Sequence, residues 1–199
     1  MANQTDTSGQ SRFLESTDVV DWRHPDVLAR ARALAVDSIE PVETARRCFE
    51  WVRDEIRHSA DYCLTPVTCS ASEVLREGSG YCYAKSHLLA ALLRANGLPA
   101  GFCYQRLSID GGGAPYCLHG LNAVWLASLG WYRIDPRGNR GDINAQFAPP
   151  VEQLAFSPSV PGEADLREIW ADPLPVVVNS LRAHVTTDTL SRNLPDFVV

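Results

Sequence analysis

Apolar residues recur at helical spacing in two stretches near the start of the chain. In "HPDVLARARALAV", residues 24–36, Val27, Leu28, Ala31, Leu34 and Ala35 fall on one face, which predicts an amphipathic helix. "EPVETARRCFEWVRDEI" predicts a second: Pro41 suits a first helical turn, and Val42, Ala45, Phe49 and Val52 repeat at helical spacing. A short third helix is expected in "CSASEVLREG", where Ser70 and Glu73 are spaced as a capping box and Gly78 supplies the stop. Residues 1 to 12 are polar and are expected to be loose.

The run from Cys82 to Asn96 follows a different pattern. Leucine or alanine occupies positions 84, 88, 89, 90, 91, 92 and 93, so the segment is apolar nearly all round and is expected to be a buried helix. Asn96-Gly97 ends it, and Pro99 prevents its resumption. Three strand-like runs follow, "AGFCYQRLSI", "HGLNAVWLA" and "WYRIDPR", with the glycine-rich "DGGGAPYC" as a flexible loop between the first two. After Gly141 the chain turns proline-rich: "NAQFAPPVEQLAF" predicts a turn into a short helix, and "PLPVVVNSLRAHV" another short element. There is no repeat and no second core. The pattern predicts one α+β domain over residues 13–199, with a core at 41–145 and a C-terminal wrap at 146–199.

Composition narrows the function classes. With 199 residues, 45% hydrophobic and 21% charged, the chain reads as an ordinary globular protein. A net charge of −6 argues against a nucleic-acid surface, which would need a basic stripe. No apolar run reaches transmembrane length, and the first twenty residues lack the basic start and continuous apolar core of a signal peptide. No membrane association is expected, and a cytoplasmic location is. In such a compartment the six cysteines are expected to be reduced. None sits in a C-x-x-C pair, and neither Cys117-x-His119 nor Cys63/Cys69 has structural zinc spacing, so no metal or other cofactor is expected.

Cys82 carries the chemistry. In "GSGYCYAKSHLLAALLRANGLPAG", residues 78–101, it stands between a glycine pair and the apolar helix. A helix start offers unpaired N–H groups and the positive end of the macrodipole, which favour an anion, and a cysteine there is placed to be a thiolate. A nucleophile of this kind needs a base and a group that orients the base. His87, five residues on, lies about 140° around the helix axis and out of reach. His58 ends a helix among polar residues, and His24 and His184 have surface-like contexts. His119 opens a strand after a glycine-rich loop, where function concentrates. Asp135 follows sixteen residues later. If 119–126 and 131–136 pair as a hairpin, the equal parity of 119 and 135 puts both on one face. Direct opposition requires a turn centred on Ala127, earlier than the turn-like Gly130, so a bulge is expected.

Other residues are weighed around this set. Cys117 shares the strand face of His119 and reads as a packing thiol, and Lys85, the only lysine among 18 basic residues, reads as solvated surface. The Cys82 backbone N–H is one candidate oxyanion donor, with the Tyr62 hydroxyl and the Gln105 amide as candidates for a second.

Three segments in order, "WVRDEIRHS", "SASEVLREGSGYCYAKSHLLAALLRANGLPAGFCYQ" and "HGLNAVWLASLGWYRIDPRGN", resemble bacterial members of the transglutaminase-like superfamily of papain-type thiol enzymes. The resemblance runs from about Trp51 to Asn139. It implies Cys82 as nucleophile, His119 as base and later acid, and Asp135 as orienter. It also implies a helical layer on an antiparallel sheet, with the cysteine helix buried between them. The implied reaction forms an acyl-thioester and hydrolyses or transfers an amide or peptide bond of a peptide, protein or small-amide substrate. Tyr81 and Tyr83 bracket the cysteine, and Asn122-Ala123 stands where an aromatic residue commonly follows the histidine; both departures touch the site's walls and leave the substrate open. Two alternatives are a scaffold that keeps the fold without catalysis and an arylamine-acetyltransferase-like enzyme, although no Arg-Gly-Gly precedes the cysteine. A calcium-gated crosslinker is disfavoured because no carboxylate cluster with loop spacing occurs.

Overall fold

The expected N-terminal helices form, each held by the end signals its sequence carries. In the computed structural model, which describes residues 10–38 and 40–196, α1 spans Pro25–Ala35 and buries Val27 and Ala31. Helix α2, Pro41–Glu55, buries Ala45, Cys48, Phe49 and Val52 along one stripe. Helix α3, Ala71–Glu77, begins in a full capping box: the Ser70 hydroxyl accepts from the Glu73 N–H at 3.3 Å, and the Glu73 carboxylate accepts from the Ser70 N–H at 3.0 Å. Caps of this kind contribute about 1 kcal/mol. Gly78 ends the helix at φ 62°, a conformation that favours glycine.

Helix α4, Cys82–Ala95, is the centre of the molecule, and every residue from Cys82 to Arg94 is buried. Helices α1, α2 and α3 pack on one side of it and the sheet on the other. Its polar side chains are buried too: Ser86 bonds back to the Cys82 carbonyl within the helix, and Arg94, His87 and Lys85 bond to backbone of neighbouring segments. Arg94 donates to the carbonyls of Glu15, Ala100 and Ala171; His87 Nδ1 meets the Cys69 carbonyl at 2.7 Å. Lys85, read from sequence as solvated, is fully buried and donates to the carbonyls of Ile56 and Arg53 at the end of α2. The helix is enclosed on all sides, so the long lysine reaches the carbonyl end of α2, where a cation is favoured.

The main sheet has strand order β5-β4-β3-β8 and is antiparallel throughout, with β3 Ala100–Ser108, β4 Tyr116–Leu126, β5 Gly130–Ile134 and β8 Ala164–Asp165. Strand β4 starts at Tyr116 rather than at His119, because the pairing with β3 continues to Ser108. A two-residue parallel pair, β1 Arg57–His58 with β2 Ser79–Gly80, places His58 opposite Gly80, directly before the start of α4. At Gly120 the sheet meets α4 so closely that a Cβ there would lie 2.9 Å from Tyr83 Cδ1, and the Tyr83 hydroxyl donates to the Leu118 carbonyl.

Two further expectations are corrected, the first only at its end. Of the segment expected to be loose, residues 1–9 lie outside the described residues, and its end, residues 11 and 12, belongs to a 3-10 turn over Ser11–Leu14, where Phe13 packs on Trp131 with ring centroids 4.7 Å apart. The expected short helix after Gly141 is instead a hairpin, β6 Gln146–Ala148 and β7 Val151–Gln153, because Pro149-Pro150 turns the chain and denies it helical N–H donors. The C-terminal region supplies β8, α5 Pro175–Ala183 and α6 Thr187–Ser191, and Val177, Leu181 and Leu190 join the same apolar core as α4.

Gly120→Ala is expected to destabilise the protein by about 1–3 kcal/mol, since the new methyl has to displace Tyr83 from the sheet. Urea unfolding measures this, and an unchanged midpoint would mean that the helix–sheet contact is not tight.

Candidate active site

Cys82 is the first residue of α4, following Tyr81, whose backbone is extended and whose side chain makes no cap. His119 lies on β4 and Asp135 one residue past the end of β5. The β4–β5 ladder runs without interruption from Leu126↔Gly130 to Asn122↔Ile134, so it turns about Ser128 and needs no bulge. In that register Asp135 is diagonal to His119 rather than opposite it, and the shared parity still brings the two to one face. His119 Nε2 lies 2.8 Å from Asp135 Oδ2, and the Cys82 side chain lies close enough to act on the same ring. With Nε2 committed to Asp135, Nδ1 is the nitrogen left for the thiol.

Burial and charge compete in this group. Asp135 is fully buried, which raises a carboxyl pKa. The positive charge and hydrogen bond of His119, with the N–H groups of Arg137 and Ala155 each at 3.1 Å, outweigh burial and hold it below its usual range. For His119 burial alone would favour the neutral ring. The charge and hydrogen bonds of Asp135 and Cys82 prevail and carry its pKa up from 6.5 to about 10. An imidazolium beside a cysteine is the arrangement that favours a thiolate.

Cys82 and His119 open onto a cleft of about 570 Å³, with Asp135 buried behind them; its walls include Tyr81, Tyr83, Cys117 and Phe156. Tyr81 stacks on Tyr83 at 6.0 Å between centroids, and Phe156 stands edge-on to the His119 ring at 5.0 Å. Cys117 therefore lines the cleft in addition to packing. Burial, with a smaller contribution from Cys82, pushes its thiol up to about 12, which makes it a wall and not a second nucleophile.

Neither candidate for a second oxyanion donor is placed for that role. Tyr62 is 61% exposed, lies outside the cleft and faces the Arg57 guanidinium at 5.7 Å. Gln105 is opposite His119 in the β3–β4 register, but its Nε2 donates to the Phe156 carbonyl at 3.2 Å and to Asp165 Oδ1 at 2.9 Å. It holds Phe156 in place against the His119 ring. Strand β8, which brings Asp165 there, is two residues long and left no periodic signal.

His58 and Arg137 border the cleft and were not singled out by sequence reasoning. His58 is buried against the Tyr81 ring at 5.1 Å, and burial, then the charges of Arg137 and Lys85, keep its pKa well below 6.5. Arg137 grips Asp61 with two bonds of 2.7 and 2.8 Å while its backbone N–H serves Asp135. The signal available for His58 was its place three residues after the end of α2; β1 is too short for periodicity to mark it. Among the described residues no three His, Cys, Asp or Glu side chains converge as a metal site.

A cysteine at the head of a buried helix, facing a histidine–aspartate pair carried by an antiparallel sheet, defines a papain-type α+β architecture. The chain belongs to the transglutaminase-like superfamily, whose family model matches residues 29–136 and so begins within α1. It is similar in fold to the solved structure of a candidate cysteine protease from Cytophaga hutchinsonii, at 16% identity and a TM-score of 0.55, covering 67% of this chain and 43% of that one. It is also similar to the periplasmic domain of TgpA from Pseudomonas aeruginosa, at 22% identity and a TM-score of 0.50, covering 67% and 48%. The chain thus spans less than half the length of either structure, and the likeness is one of fold. No curated protein matches the sequence.

A histidine whose pKa rises from 6.5 in the unfolded chain to about 10 in the fold contributes stability that is complete below pH 6.5 and lost as pH climbs toward 10. Asp135→Asn removes the main group that raises it. The stability gap between wild type and this variant, read from urea unfolding, is expected to be widest below pH 6.5 and to narrow toward pH 10. A gap that stays constant or widens would mean that Asp135 does not hold the imidazolium.

Proposed function

We propose that the protein is a thiol hydrolase acting on amide or peptide bonds. The observation that carries this reading is the His119–Asp135 hydrogen bond with Cys82 beside the same ring, at the floor of an accessible cleft. The Cys82 thiolate adds to the substrate carbonyl, and the oxyanion that forms is met by the Cys82 backbone N–H at the positive end of α4. His119 gives its Nδ1 proton to the departing amine as the C–N bond breaks, leaving an acyl-thioester. The neutral ring then takes a proton from water as the water attacks, and the acid leaves with the thiolate restored. Asp135 keeps Nε2–H oriented and stabilises the charged ring at each stage. A scaffold without catalysis would have no need to keep a charged pair buried, where removing either partner is costly.

Among the six thiols, Cys82 is expected to take up iodoacetamide first at mildly acidic pH, with the adduct located by peptide mass mapping. Even labelling of all six, or none at Cys82, would refute the assignment.

Water is expected to resolve the thioester in preference to amines, because amine transfer needs a second site that binds the amine and excludes water. The cleft is bordered by the Gly111–Gly113 loop and by residues 156–159, with no further layer over it among the described residues. When a turned-over amide is incubated with excess primary amine, free acid should be the main product. Predominant transfer to the amine would make the protein an acyltransferase.

A further inference from the structure

A second cavity, of about 370 Å³, shares His58 and Arg137 with the Cys82 cleft. Its lining opposes five cationic side chains, Arg53, Arg57, Lys85, Arg137 and Arg140, to two carboxylates, Asp54 and Asp61, in a chain whose net charge is −6. Both carboxylates are already engaged. Arg53 holds Asp54 with bonds of 2.7 and 2.8 Å; Asp61 receives two bonds from Arg137 and has Arg140 at 3.4 Å. Lys85 Nζ, at the cavity floor, meets only the carbonyls of Arg53 and Ile56, and Arg57 meets only the Tyr62 ring; among the described residues neither has a carboxylate partner within ion-pair distance.

A buried ammonium without a counter-ion is costly, and a concave site walled by one sign of charge concentrates the opposite one. Burial, with the repulsion of Arg137, pushes Lys85 down to about 7 against the attraction of Asp135, Asp54 and Asp61, so an anion held in the cavity would favour its charged form. Two guanidinium groups at its rim, Arg57 and Arg140, are suited to fork-like bonds with a carboxylate or a phosphate.

We propose that this cavity binds an anionic group, a carboxylate or phosphate, carried by the substrate whose carbonyl reaches Cys82. The second half of this statement rests on the thiol-hydrolase reading; the anion site itself does not. Inorganic phosphate and glutarate are titrated by calorimetry into Cys82→Ala protein, with and without the paired changes Arg57→Gln and Arg140→Gln. Saturable binding that weakens at least tenfold in the paired variant is expected. Binding that does not saturate, or that the paired variant leaves unchanged, would overturn the site.

A second arm separates a substrate group from a free ion. Wild-type enzyme is given the 4-nitroanilides of glutarate and of pentanoate, acyl chains of equal length of which one ends in a carboxylate. At least a tenfold preference in kcat/KM for the glutaryl compound is expected, abolished in the Arg57→Gln, Arg140→Gln protein while iodoacetamide labelling of Cys82 is unchanged. Equal turnover of the two, or none, alongside saturable phosphate binding would assign the cavity to a free anion and overturn the substrate role. Loss of Cys82 labelling in wild type would refute the thiol reading instead.

Discussion

The Asp135 carboxylate is fully buried, and the structure around it is arranged so that it can stay ionised there. A buried carboxylate without partners would protonate or unfold the site; this one accepts from the His119 ring and from the N–H groups of Arg137 and Ala155. Those three donors come from three parts of the chain: β4, the turn after β5, and the segment after β7. The carboxylate therefore fastens the C-terminal region to the sheet as well as orienting the histidine. Arg137 carries the connection further, since its guanidinium grips Asp61 beyond β1. Gln105 does similar work from β3 by bonding the Phe156 carbonyl, so that Phe156 stands against the His119 ring. The site is built from pieces far apart in sequence, and Asp135 is where they meet.

Helix α4 supplies the other half. Its enclosure gives Cys82 a fixed position, because a helix packed on every side has no freedom to shift relative to the sheet. The close approach at Gly120 and the Tyr83 bond to the Leu118 carbonyl set the distance between the cysteine's helix and the histidine's strand. Full enclosure also leaves no solvent for polar side chains, and the solution adopted by Arg94, His87 and Lys85 is the same in each case. They bond to backbone carbonyls of α2, β3 and loop segments and so tie those segments to the central helix.

Much of this was legible in the sequence, where a signal is local or periodic. The Ser70–Glu73 box, Pro41, Gly78 and the all-round apolar run after Cys82 mark their elements, since capping and burial act over a few residues. Cys82, His119 and Asp135 could be grouped from a helix boundary and a strand parity, and the structure brings them together. What failed depended on long-range partners. Lys85 could not be placed without knowing that the carbonyl end of α2 lies against α4. The commitment of Gln105 required β8, and the hairpin at residues 146–153 was hidden by a short apolar run that fits a helix as well as a strand. His58 was set aside as a helix end among polar residues, and the two-residue strand it occupies has no pattern that would have shown otherwise.

The two buried histidines at the cleft show how neighbours decide whether the effect of burial prevails. Burial pushes both His58 and His119 toward the neutral form. His119 faces Asp135 and Cys82, and its pKa climbs to about 10; His58 faces the cations Arg137 and Lys85, and its pKa falls well below 6.5. Opposite environments for two like groups in one site are the usual means of dividing roles between them. Here the division leaves one ring charged beside the thiol and the other neutral between two cavities. The two cations that add to burial in keeping His58 neutral also line the second cavity, so the charge pattern that helps separate the histidines is the one that leaves an excess of positive charge next to the cleft. Arg137 stands at the junction, bonding to Asp135 through its backbone and to Asp61 through its side chain, and so couples the electrostatics of both sites through one residue.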